Sequence, residues 1–239
     1  MKKIIIPFLL LSTAAMADIN VSDITAKKEG RNIHCSYRYP QFSLNGKSLT
    51  KLNNSFKRDI QEMNRKTPKK VTDLKAWDRT VNFKEFKNDF GFTSVVISDR
   101  INTGSNQDVT NLRSVNLDPK TGKLLDFNDI FRSELNDRVK KAIVKYLNEK
   151  NIEKGIGFFN PIEEECISLD NAVFYFHKNY LIMKFEGFSV APYNKKEFVY
   201  RFEKENVVPY MQYKYGKDFP EYYKNGRTTI KFSELNEKK

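Results

Sequence analysis

Few side chains in this sequence are equipped for chemistry. Histidine occurs only at His34 and His177, and cysteine only at Cys35 and Cys166. Neither histidine has a second histidine or a carboxylate at the spacing that gathers ligands around a metal on one helical face. His34 adjoins Cys35, but a strand turns adjacent side chains to opposite faces, so the two do not form a thiol–imidazole pair. A Gly-x-Ser-x-Gly nucleophile elbow is absent. Glu163, Glu164 and Glu165 form a run of carboxylates; general acid–base work needs a carboxyl shielded from water, and such a run reads as a solvated loop. The sequence therefore implies no catalytic residue, no metal and no cofactor, and favours a binding protein over an enzyme.

The compartment comes next. Lys2 and Lys3 form a basic head, residues 4–11 are apolar apart from Pro7, and Ala15-Met16-Ala17 has the small-x-small ending of a secretory leader cleaved after Ala17. The apolar run is too short for a stable transmembrane helix, and no cysteine follows Ala17 to carry lipid. No later stretch is long and apolar enough to span a bilayer. The expected location is periplasmic or secreted. In an oxidising compartment Cys35 and Cys166 can join in a disulfide. It would close a loop of well over a hundred residues, worth about 4–5 kcal/mol in the chain-entropy model. The alternative is a pair of buried thiols.

The 42 lysines and arginines outnumber the 30 carboxylates, giving +12; loss of Lys2 and Lys3 with the leader leaves +10. Such an excess favours acidic glycans, lipid headgroups or acidic proteins, and export removes nucleic acid from the candidates. Aromatic content of 13% excludes a disordered chain.

The elements that must position any site follow from periodicity. Residues 18–31 read as a short strand and a turn at Gly30. Residues 32–39 alternate, with Ile33, Cys35, Tyr37 and Tyr39 on the inner face and His34, Ser36 and Arg38 outside, until Pro40 stops the strand. Leu49, Leu52, Phe56, Ile60 and Met63 form one stripe of a helix over 48–64. Strands follow at 77–86, 92–101 and 109–117, then an Asp118-Pro119-Lys120-Thr121-Gly122 turn. Ser133 opens a second helix with a Leu135, Val139, Ala142, Ile143, Tyr146, Leu147 stripe reaching about Asn148. A hairpin spans 172–185, another strand 197–202, and a last strand 228–232; the Tyr210, Tyr213, Tyr215, Tyr222, Tyr223 run, interleaved with Lys214, Lys217 and Lys224, reads as an edge strand packing one tyrosine face, the alternative being a wall that stacks sugar rings. The order gives an α+β fold: antiparallel sheets with two main helices packed on one side, in two small α+β halves.

One stretch is specific. Asn116, Asp118, Thr121-Gly122-Lys123 and Asp129-Ile130-Phe131, followed about sixty residues later by the paired-aromatic hairpin and Ala191-Pro192-Tyr193, resemble the RsiV-type C-terminal domain (domain of unknown function 3298). Tyr39-Pro40 and the Leu52-Asn53 helix resemble the PdaC-type domain (domain of unknown function 4163) that commonly precedes it. The resemblance covers roughly Asn32 to Tyr210. It implies an outward-facing envelope protein; some members sense lysozyme within anti-sigma factors, and some sit beside polysaccharide deacetylases. Where the family often carries a histidine-containing glycine-rich loop, this chain has Thr103, Gly104, Ser105, Asn106 and Gln107. A chain at +10 is repelled by cationic lysozyme-type enzymes.

The expected organisation is a leader over 1–17, a PdaC-like half over 18–101, an RsiV-type half over 102–215 and a polar tail over 216–239. The expected role is a non-enzymatic envelope protein binding peptidoglycan or another anionic envelope polymer, with Thr103, Gly104, Ser105, Asn106 and Gln107 as the binding loop. The alternative is a protein-binding sensor or inhibitor module for an envelope-acting enzyme, with an acidic envelope protein as its partner.

Overall fold

A computed structural model of the chain describes residues 19–67, 77–103, 109–154, 172–185, 198–223 and 232–234. The leader with Ala17, loop residues 104–107, Glu163, Glu164, Glu165, Cys166 and the Ala191-Pro192-Tyr193 corner lie outside them. Among the described residues, no helix is long and apolar enough to cross a membrane.

The chain is α+β, with two sheets and a long helix for each. The first sheet contains β1 (Ile19–Gly30), β2 (Ile33–Leu44), β4 (Trp77–Phe86), β5 (Thr93–Asn102) and β6 (Val109–Leu117), in the spatial order β1-β2-β4-β5-β6, with the two-residue β3 (Lys47–Ser48) on β2. Helix α1 (Thr50–Lys66) crosses over between β2 and β4, which pair in parallel; the other pairings are antiparallel. The parallel pair departs from the all-antiparallel expectation. It arises because a helix, rather than a hairpin, returns the chain to the end of the sheet from which β2 started.

Two strands run further than the sequence suggests. β1 pairs along its whole length with β2 through the tight Arg31-Asn32 turn, where Asn32 adopts φ 60°, a left-handed conformation that asparagine tolerates. β2 continues through Pro40 instead of stopping. β4 pairs with β2 only as far as Tyr37, so Pro40 has β1 as its one neighbouring strand, an edge-like position where a missing N–H is tolerated.

The inner face of this sheet buries Ile33, Cys35, Tyr37, Tyr39, Phe42, Val81, Val95, Ile97, Val115 and Leu117 against Phe56 and Ile60 of α1. Asn53 fixes the helix to β2 like a short piece of strand: its Oδ1 accepts from the Phe42 N–H at 2.9 Å and its Nδ2 donates to the Phe42 carbonyl at 2.9 Å. At the other end of α1, Lys28 Nζ donates to the Asn64 carbonyl at 2.9 Å, placing a cation on the negative end of the helix dipole.

The second sheet has the order β10-β9-β8-β7, from β7 (Val173–His177), β8 (Tyr180–Phe185), β9 (Phe198–Glu203) and β10 (Phe232–Glu234). Helix α3 (Ser133–Lys154), preceded by the single turn α2 (Phe127–Ile130), buries Leu135, Val139, Ile143 and Leu147 against Phe174, Phe176, Leu181, Met183, Tyr200 and Phe202. α3 begins at the expected Ser133 and outlasts the apolar stripe, ending at Lys154. The tyrosine-rich segment is not an edge strand. It forms helical turns at Val208–Tyr210, Tyr213–Gly216 and Pro220–Tyr223, which cover the second core with Tyr210, Tyr215 and Tyr222 and leave Tyr213 outside.

The halves are joined by polar groups without exposure. Ser94 Oγ donates to Asn116 Oδ1 at 2.7 Å, Asn116 Nδ2 donates to the Phe174 carbonyl at 2.9 Å, and the Phe176 N–H donates to Ser94 Oγ at 3.2 Å. Ser94 is 0% and Asn116 1% exposed. Phe90 and Phe92, from the β4–β5 turn, pack on Phe176 with centroids 4.8 and 4.7 Å apart.

The signature turn after β6 is a second brace. Asp118 Oδ1 accepts from the N–H groups of Lys120 and Thr121, and its Oδ2 accepts from the Tyr215 hydroxyl at 3.0 Å. Gly122 has φ +67°, and a Cβ there would meet the Leu49 side chain at 2.9 Å, so conformation and space both call for glycine. Asp126 and Asp129 complete a capping box around α2. Burial pushes the Asp118 carboxyl up, but the hydrogen bonds from Lys120, Thr121 and Tyr215 outweigh it and hold the group below the usual aspartate range.

Two outcomes test these joints. Asn116→Ala strips partners from Ser94 and from the Phe174 carbonyl, and is expected to lower unfolding stability by about 2–4 kcal/mol in urea titrations. A depressed Asp118 contributes stability that is present above its unfolded-state value and is lost as pH falls through the folded value. Asp118→Asn should therefore weaken the protein at neutral pH and flatten its loss of stability below about pH 4, read from thermal midpoints across pH.

Candidate functional site

Strand pairing on the outer face of the first sheet sets side chains in straight cross-strand rows. Lys27 of β1 stands opposite Ser36 of β2, Ser36 opposite Thr80 of β4, and Thr80 opposite Arg100 of β5. Two residues along each strand, Glu29, His34, Asp78 and Asn102 make a second row in the same register. Side chains on one face repeat every second residue, so the rows lie about 7 Å apart; three strand gaps separate Lys27 from Arg100 by about 14 Å. These eight residues line one shallow open groove of about 460 Å³.

The groove side chains are largely unoccupied by the protein. Lys27, Glu29, His34, Ser36, Asp78 and Thr80 make no side-chain hydrogen bond or ion pair with the described residues. His34, Ser36, Thr80 and Arg100 are exposed, and Asp78 is half-buried. The floor thus offers two hydroxyls between cations in one row, and two carboxylates either side of an imidazole in the next. It lacks an aromatic platform among its lining residues, so recognition here rests on hydrogen bonds and charge.

A second cleft, of about 300 Å³, lies beneath the C-terminal half of α1. Its charges are spent on one another. Arg79 Nε and Nη2 hold both oxygens of Asp99, with side chains only 12% and 13% exposed. Arg113 pairs with Asp59 at 2.9 Å and also lies over the Phe56 ring; Lys66 pairs with Glu62 at 2.6 Å. The Asp99 contact holds the Arg79 guanidinium above its usual value. Burial pushes the Tyr37 and Tyr39 hydroxyls up to about 12, so neither is a base near neutrality. This cleft is a structural seam: Arg79–Asp99 ties β4 to β5, Arg113–Asp59 ties β6 to α1, and Lys66–Glu62 closes one turn of the helix.

The residues singled out from sequence divide between these regions. Thr103 is exposed and follows Asn102, at the rim of the groove; the rest of that loop lies outside the described residues. Cys35 is buried at 3% on the inner face of β2, with Cys166 outside the described residues. His177 sits at the β7–β8 hairpin with its ring edge on Phe86, 5.2 Å between centroids. Among the described residues, no group of three histidine, cysteine, aspartate or glutamate side chains can hold a metal. Asp78, Thr80, Arg100, Lys27 and Glu29 escaped sequence reasoning. Alternation within β4 and β5 marks their outward side, but only strand order puts them beside His34 and Ser36.

No family model and no curated protein matches the chain. Among solved structures it is similar to a DUF3298 family protein from Pseudomonas aeruginosa PAO1, at 12% identity and a TM-score of 0.46 over 77% of this chain and 88% of that one. It is also similar to a member of the DUF3298 family from Bacteroides fragilis, at 10% identity and a TM-score of 0.47 over 82% and 94%. Neither score is high enough to carry an activity or a partner to this chain.

The contrast between groove and cleft gives a stability test. Asp99→Asn leaves Arg79 largely buried with a weakened partner and is expected to cost about 3 kcal/mol. Glu29→Gln and Asp78→Asn remove carboxylates, one exposed and one half-buried, that have no partner among the described residues, and should each change stability by less than about 0.5 kcal/mol. Urea midpoints of the three variants check both statements.

Proposed function

We propose that this chain is an exported, non-enzymatic cell-envelope protein that binds an anionic glycan or peptidoglycan-type polymer along the outer groove of its first sheet. The observation that carries the reading is the row Lys27–Ser36–Thr80–Arg100: cations at both ends, hydroxyls between, and Lys27, Ser36 and Thr80 unengaged by the described protein. A row about 14 Å long suits an extended polymer better than a compact metabolite. The charge of +10 left after loss of Lys2 and Lys3 supports approach to anionic material. Thr103, the first residue of the expected binding loop, is exposed and follows Asn102 of the groove, and a Cys35–Cys166 bond would tie β2 to the second half.

The test is retention of the mature protein on purified cell wall. Binding at low salt is expected, with release as salt screens exposed charges beyond the Debye length of about 10 Å at 0.1 M. Lys27→Glu combined with Thr80→Glu should abolish retention while leaving unfolding stability in urea within about 1 kcal/mol of wild type. Absence of retention at low salt, or retention unchanged in the double variant, overturns the proposal.

A further inference from the structure

We infer that the outer groove is selective for a zwitterionic group, one carrying an ammonium and a carboxylate at separated positions, such as the amino-acid portion of a wall polymer. The inference rests on the reading that this groove is the ligand site, and it concerns what the groove selects.

A groove made only to hold polyanions would not place carboxylates beside its cations, because each acid repels the ligand that the bases attract. Here Glu29 and Asp78 flank His34 in a row parallel to the Lys27–Ser36–Thr80–Arg100 row, and the shared register holds the two rows about 7 Å apart. Neither carboxylate is engaged by Lys27, or by any other group among the described residues. The acids are therefore not part of an internal ion-pair lattice like the one under α1, where Arg79–Asp99, Arg113–Asp59 and Lys66–Glu62 cancel one another. Lys27 in one row, with Glu29 and Asp78 in the next, matches a ligand whose two charges lie across the rows. A ligand ammonium would sit between Glu29 and Asp78 over His34, and its carboxylate on Lys27, with the Ser36 and Thr80 hydroxyls within the same span. Pure polyanions meet the acidic row as repulsion, and simple amines meet the basic one.

The probe is ε-aminocaproate, a flexible zwitterion whose extended ammonium–carboxylate span is comparable to the row spacing, set against caproate and hexylamine. Backbone amide shifts of His34, Ser36, Asp78 and Thr80 are followed by NMR on the mature protein. Saturable shifts are expected with ε-aminocaproate, with half-saturation at least about fivefold below that of either single-charge probe. The Glu29→Gln, Asp78→Asn double variant should erase the preference over caproate. Equal responses to all three probes, no saturable response to ε-aminocaproate, or a preference that survives the double variant each overturn the inference. Wall retention separates the two claims. Retention on cell wall with equal probe responses overturns zwitterion selection and leaves the wall-binding function standing. Preference for ε-aminocaproate without wall retention supports the selectivity and overturns the wall as its source.

Discussion

The two halves of this protein are held in one arrangement by a short polar chain in a dry place. Ser94, on the outer face of β5, and Asn116, on β6, hydrogen-bond each other and the backbone of β7 at Phe174 and Phe176. Buried amides and hydroxyls are costly without partners and directional with them. An apolar contact at this junction could slide, whereas this one fixes the edge of the second sheet against the face of the first. The aromatic seam of Phe90, Phe92 and Phe176 then fills in around a geometry already set. Because the second half stands on one end of the outer face, the rest of that face is left open, and the polar rows lie there.

Charge is used differently in the cleft under α1 and in the outer groove. Beneath α1 the acids are paired with bases: Arg79 and Asp99 are largely shielded and tie β4 to β5, and Arg113–Asp59 ties β6 to the helix. On the outer side the side chains of Lys27, Glu29 and Asp78 face solvent with no protein partner among the described residues. Exposed pairs on a surface contribute little to stability, so leaving these side chains unpaired costs the fold almost nothing. That makes the outer face the place where the sequence is free to specify a ligand.

Much of this architecture is legible in the residues. The alternation of Ile33, Cys35, Tyr37 and Tyr39 marks the buried face of β2, and the stripes of α1 and α3 name the side chains that enter each core. The Asp118–Gly122 turn is readable because proline, glycine and an aspartate that accepts from its own backbone act locally. Pro40 misleads because a local rule about proline yields to the absence of a neighbour on one side. The tyrosine-rich end misleads because its aromatics satisfy the second core from helical turns, a choice made by distant partners such as Asp118 for Tyr215. The groove was out of reach for a related reason. Lys27, Ser36, Thr80 and Arg100 are scattered over more than seventy positions, and they line up only because α1 returns the chain so that β4 runs parallel to β2.

β1 gives this arrangement a mechanical character. Among the described residues it is the outermost strand of the sheet, tied along twelve residues to β2 alone. Edge strands of this kind open from their free ends more readily than central ones. Since Lys27 and Glu29 ride on β1 and Arg100 on β5, an occupant of the groove acts as a strap across four strands, tying the loosest member of the sheet to its interior. Occupancy would then be felt away from the ligand itself, as slower amide exchange along β1.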